Sequence, residues 1–160
     1  EGPQVKIRSF VFEGGDPEVL KEFDLNLEGT PYLPAQMKRM KELLIQSHEE
    51  AGYAGFLIQE SCSIDDERLY ADCTFILSTG LQQRIDHVFV RGNQRTDRAF
   101  LIDLVEIEEG DLLSPSTFDS TRADLYELDL FQSVELKAVG DDLDSKDLLI
   151  NLHEKSNKFQ

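Results

Sequence analysis

Between Ile85 and Leu136 the pattern of apolar and polar residues changes period in a fixed order. Val88 and Val90 stand among Asp86, Phe89 and Arg91 with a period of two, which predicts a strand with one face on a core. Gly92-Asn93 follows, two residues that tolerate positive φ, so the strand is expected to turn sharply there. Thr96 or Asp97 then caps a helix carrying Ala99, Leu101, Leu104 and Val105. The acidic connection closes on Gly110, and Ser114-Pro115 opens a second helix with proline in its first turn. Phe118, Thr121, Leu125 and Leu128 recur on that helix at helical spacing and form one stripe. A strand begins at Phe131, and Leu148–Leu152 supplies one more. The order is βααββ.

The first half repeats this order with a period of about eighty residues. Val5–Glu13 is its first strand, with Phe10 and Phe12 in the places of Val88 and Val90. Gly14-Gly15 stands for Gly92-Asn93, and Asp16-Pro17 opens a short helix with Val19, Leu20 and Phe23. Met37, Met40 and Leu44 form the stripe of the second helix, which Gly52 ends. Phe56–Ile64 and Leu69–Leu77 pair around an Asp65-Asp66-Glu67 turn. The expected boundaries are residues 4–79 and 80–155, with 156–160 as a tail.

The run Val90–Thr96, the triplet Glu109-Gly110-Asp111, and Leu125 followed by Leu130-Phe131-Gln132-Ser133-Val134 carry a family likeness. With them the chain resembles tandem POTRA (polypeptide-transport-associated) domains of the outer-membrane β-barrel assembly and translocation superfamily. The resemblance implies an α+β fold in which each unit is a three-stranded mixed sheet with two helices on one face. The last strand is then central, and the second strand, Phe131–Val139 or Phe56–Ile64, is an edge. It implies a periplasmic location, a C-terminal barrel beyond the tail, unfolded outer-membrane protein clients, and accessory assembly subunits. Clients would add as a strand to the exposed edge. The residues expected to meet them are Phe131, Gln132, Ser133, Glu135 and Lys137, with Phe89 on the open sheet face. Amide alternation is expected to turn the N–H of only one of Ser133 and Glu135 off that edge. Phe89 and Val11 equally suit packing between the two domains. A structural docking module in an envelope, division or two-partner secretion complex, without client handling, is the alternative.

Composition narrows the remaining chemistry. In 160 residues, 40% are hydrophobic and 30% charged, the balance of a globular chain with one domain or two small ones. No apolar run reaches the ~20 residues of a membrane helix. No secretory signal is read at Glu1, so one is expected upstream or already removed. The net charge of −16 repels phosphate backbones and argues against nucleic acid. Arg84, Arg91, Arg95 and Arg98 are expected to pair with nearby acids.

His48, His87 and His153 lie far apart and show no ligand spacing, so no metal is expected. No nucleophile elbow, phosphate loop or dinucleotide fingerprint is present, so neither a cofactor nor an enzymatic activity is expected. Cys62 and Cys73 lie symmetrically about the Asp65–Glu67 turn and share parity with core residues. A cross-strand disulfide and a pair of buried thiols are both open readings.

Overall fold

Ten elements follow one another in a computed structural model that describes residues 3–23 and 26–156. Contacts divide the chain into a unit ending at Gly80 and one starting at Leu81. The first contains β1 (Lys6–Gly14), α1 (Pro17–Leu20), α2 (Pro34–Glu50), β2 (Leu57–Asp65) and β3 (Tyr70–Ser78). The second contains β4 (Arg84–Arg91), α3 (Arg98–Val105), α4 (Pro115–Glu127), β5 (Phe131–Val139) and β6 (Ser145–Glu154). Each is βααββ, as the repeat predicts. Of the expected tail, only Ser156 lies among the described residues.

In each sheet the last strand is central. The orders are β1-β3-β2 and β4-β6-β5, with the first strand parallel and the second antiparallel to the centre. A parallel partner needs a crossover, and the helix pair supplies it. Both helices therefore cover one sheet face. In the second unit Leu101 and Val105 of α3 and Thr121 and Leu125 of α4 are buried, over Val88, Leu136, Leu148 and Ile150. Full burial of one such aliphatic side chain is worth about 1.5–3 kcal/mol. In the first unit Met37 and Leu44 cover Phe10, Cys73, Phe75 and Leu77. Phe10 and Phe75 meet edge to face at 5.0 Å.

The caps follow the sequence signals. Asp97, rather than Thr96, caps α3 by accepting from the amide of Ala99 at 2.8 Å. Ser114 caps α4 by accepting from Thr117 N–H. The α2 terminus ends with Tyr53 N–H on His48 C=O and Gly52 N–H on Glu49 C=O, satisfying two of its last carbonyls.

Among the described residues the strand ladders shift register at three places. Between Ile85 and Val88, two residues of β4 oppose Asp147 alone, so Ile85 and Val88 both face the core. The first unit has the same feature between Ile7 and Ser9. The third, between Phe131 and Ser133, turns Phe131 inward together with Val134 and Leu136. Ala99, expected on the apolar stripe of α3, is exposed instead.

Candidate functional site

Strand β5 is an edge of the second sheet, and its exposed side chains are Gln132, Ser133, Glu135, Lys137, Ala138 and Val139. Phe131 is not among them: only 2% of it is exposed, so its side chain belongs to the core and only its backbone lies on the edge. Glu135 and Lys137 pair at 3.0 Å across the outer face, and such charges on an edge strand discourage indiscriminate pairing. Phe89, on the open face of β4, is 48% exposed.

The direction of the edge amides is fixed by one contact. Val134 N–H donates to the hydroxyl of Tyr126 on α4 at 3.1 Å, so it points away from β6. Neighbouring amides alternate across a strand. Val134, Leu136 and Ala138 therefore point off the sheet, while Ser133, Glu135 and Lys137 face β6, their antiparallel partner. The expectation that Ser133 and Glu135 differ is corrected: residues two apart share a direction. The edge thus offers two amides, Leu136 and Ala138, beyond the one that Tyr126 occupies.

At the other end of the sheet, Gly92 has φ +86°, and a Cβ there would lie 1.8 Å from the Leu152 carbonyl oxygen. The turn is possible only without a side chain. Asn93 Nδ2 donates to Thr96 C=O at 3.0 Å and closes the loop. Glu154, at the end of β6, then receives the amides of Arg95 (2.9 Å) and Thr96 (3.2 Å) and the Arg95 guanidinium (3.0 Å). These hold its carboxyl below the ordinary range, the Arg95 amide most strongly, against the opposing effect of burial. Of the four arginines expected to pair with acids, Arg95 does so, whereas Arg84 and Arg98 donate to the carbonyls of Gly110 and Val88.

In the first unit Cys62 and Cys73 stand directly opposite each other on β2 and β3 and are joined as a disulfide. Nearby, His48 is fully buried and stacks on Phe56 with ring centroids 3.9 Å apart. Its Nδ1 lies 2.8 Å from Leu44 C=O, and its Nε2 accepts from Asp16 N–H at 3.2 Å, which fits a neutral ring with the proton on Nδ1. Asp16 in turn caps α1 and accepts from Tyr53 Oη at 2.5 Å, which lowers the Asp16 pKa and raises that of Tyr53. Sequence reasoning treated His48 as one isolated histidine. Its role needs Asp16 and Phe56 brought to one helix.

A second histidine also gains unforeseen neighbours. His87 Nδ1 lies 3.2 Å from an oxygen of Asp86 and 3.2 Å from one of Asp147. The hydrogen bond to Asp147, aided by the charge of Asp86, raises the His87 pKa. Elsewhere Glu106 lines two open surface grooves, one with Asp124 and Glu127 and one with Asp103 and Glu108. Among the described residues no buried side-chain polar atom lacks a partner. None of their helices is long and apolar enough to cross a membrane.

The comparisons with known proteins agree with this geometry. Residues 83–155 match the POTRA family, described as surface antigen variable number repeat. No curated protein sequence matches. Among solved structures, the BamA POTRA3-5 fragment of Haemophilus influenzae is 18% identical, with a TM-score of 0.60. Its match covers 96% of this chain and 63% of that one. BamA of Haemophilus ducreyi lacking POTRA domains 1-3 is 17% identical, with a TM-score of 0.70 over 96% of this chain and 30% of its own. POTRA1-2 of the periplasmic domain of Omp85 from Anabaena is 12% identical, with a TM-score of 0.58, and matches 98% of this chain and 99% of that one. The chain thus spans less than two thirds of the two BamA structures. Residues 83–155, nearly the whole of the second unit, are similar to the POTRA family, and both units share the fold of the POTRA domains in these structures.

Proposed function

We propose that the chain is a periplasmic module of an outer-membrane protein insertase or translocation channel. In this reading it receives extended strands of unfolded barrel clients on β5 and docks accessory subunits. The observation that carries the reading is the direction of the β5 amides, with Leu136 and Ala138 pointing off the sheet. An added strand would be held by backbone bonds and would need little particular sequence, which suits a factor that handles many precursors. The outer side chains Ser133, Glu135 and Lys137 lie on the face away from the core and would tune affinity rather than create it.

The disulfide fits an oxidising compartment. The Anabaena relative is described as part of a periplasmic domain, which supports the same location. A barrel of the same protein, beyond Gln160, is the proposed membrane partner. The net charge of −16 makes nucleic acid a poor partner, and no catalysis is part of this role.

A barrel-derived peptide with alternating apolar residues, titrated into the chain, tests the proposal. Amide shifts are expected along β5, centred on Leu136 and Ala138. Shifts confined to α3 and α4 would contradict edge binding and favour a docking role on the helical face.

A further inference from the structure

The shift in β4 brings Asp86 and His87, adjacent in sequence, to one point opposite Asp147 of β6. In an unbroken strand two consecutive side chains point to opposite faces. Here Ile85 and Val88 take the core positions, and both intervening residues are exposed. One ligand atom from each of Asp86, His87 and Asp147 lies within 4.8 Å of the others. Both His87–carboxylate separations are 3.2 Å. Ligands bonded to one tetrahedral zinc ion at 2.0–2.1 Å are about 3.3 Å apart, so the two His87–carboxylate separations already match that spacing, while the two carboxylates lie within 4.8 Å of each other.

The first unit provides an internal comparison. At the matching shift in β1, Arg8 and Ser9 oppose Asp72. Arg8 pairs with Asp72, Ser9 donates to it at 2.9 Å, and the guanidinium lies over the Tyr70 ring. There a resident cation neutralises the central aspartate. In the second unit the position of Arg8 is held by Asp86, so a second carboxylate replaces that cation. The basic side chains next in sequence are turned elsewhere: Lys146 donates to Gly140 C=O and Arg84 to Gly110 C=O. Glu109 adds its negative charge to the same locality.

We propose that Asp86, His87 and Asp147 form a surface site for a first-row divalent metal ion of the zinc type, with water completing its coordination. One imidazole nitrogen with two carboxylates selects zinc, nickel or cobalt over magnesium and calcium, which prefer oxygen alone. The ion would bridge β4 to β6 where the ladder is interrupted, doing for the second unit what Arg8 does for the first.

The test is a calorimetric titration of the whole chain with Zn²⁺, with amide spectra recorded in parallel and Mg²⁺ as the control for diffuse binding to carboxylates. The expected result is one saturable equivalent, with shifts centred on Asp86, His87 and Asp147, not displaced by excess Mg²⁺. His87→Ala and Asp86→Asn should each weaken binding by roughly tenfold or more, since even an outer partner of a ligand costs about 10–100-fold. His153→Ala, which removes another exposed histidine, should change nothing. Binding spread over many carboxylates, displaced by Mg²⁺ or unchanged in His87→Ala, would overturn the site. So would an absence of binding in a chain whose spectrum is otherwise native.

Discussion

The hydroxyl of Tyr126 accepts the amide of Val134 at 3.1 Å, a helix side chain closing the first outward position of an edge strand. Tyr126→Phe is predicted to release that amide to solvent. Hydrogen exchange at Val134 should then accelerate while Ser133 and Glu135, which face β6, stay protected. The cost in stability should be about 1 kcal/mol or less, because Tyr126 is 45% exposed and water can replace its hydroxyl.

Gly92 and Leu152 make a second close relationship. A side chain at Gly92 meets both positive φ and a backbone carbonyl that cannot move without breaking the sheet. Gly92→Val is predicted to destabilise the second unit by at least ~2 kcal/mol, combining the left-handed backbone penalty with the clash. Denaturant unfolding read through amide signals of each unit should show the second melting early and the first unchanged. Gly14→Val should reverse that pattern, because its Cβ would lie 2.2 Å from Leu77 C=O.

The Cys62–Cys73 bond closes a loop with a sequence separation of 11. Reduction, or Cys62→Ser with Cys73→Ser, should lower the stability of the first unit by at most about 3 kcal/mol. The second unit carries no cysteine and should be indifferent. Intact mass before and after alkylation, without reductant, checks the bond itself; two reactive thiols would contradict it.

Glu154 gives the second unit an acid dependence. Its carboxyl titrates below the ordinary 4.5 when folded, because charged Glu154 is held by Arg95 and Thr96. The stabilisation is therefore present above 4.5 and is lost as pH falls through the lower folded value. Glu154→Gln should reduce stability at neutral pH and flatten the pH dependence of the second unit below 4.5. An unchanged acid profile in Glu154→Gln would show that the loop is held by other contacts.

The βααββ order was legible because amphipathic period, caps and glycines all agree, as at Asp97, Ser114-Pro115 and Gly92. The core positions of Ile7, Ile85 and Phe131 were not legible by alternation. Each sits beside a register shift, and the extra residue that reverses parity is set by pairing with a strand distant in sequence. For the same reason Phe131 reads as an edge residue in sequence but is buried in the fold. His87 and Asp147 are separated by 60 positions, so only the parallel β4–β6 pairing brings them together. The edge itself was placed through the family resemblance. The direction of its amides required the Tyr126 contact.

Two adjacent proline substitutions test the edge mechanism most directly. Ala138 is exposed and its amide points off the sheet, so Ala138→Pro removes a donor available to a client without removing a β5–β6 bond. Lys137 faces β6 with its amide, so Lys137→Pro removes a ladder bond instead. In titrations with a barrel-derived peptide, Ala138→Pro should weaken binding with stability nearly intact. Lys137→Pro should chiefly lower the stability of the second unit. Peptide shifts that persist along β5 with unchanged affinity in a folded Ala138→Pro chain would contradict strand addition at this edge.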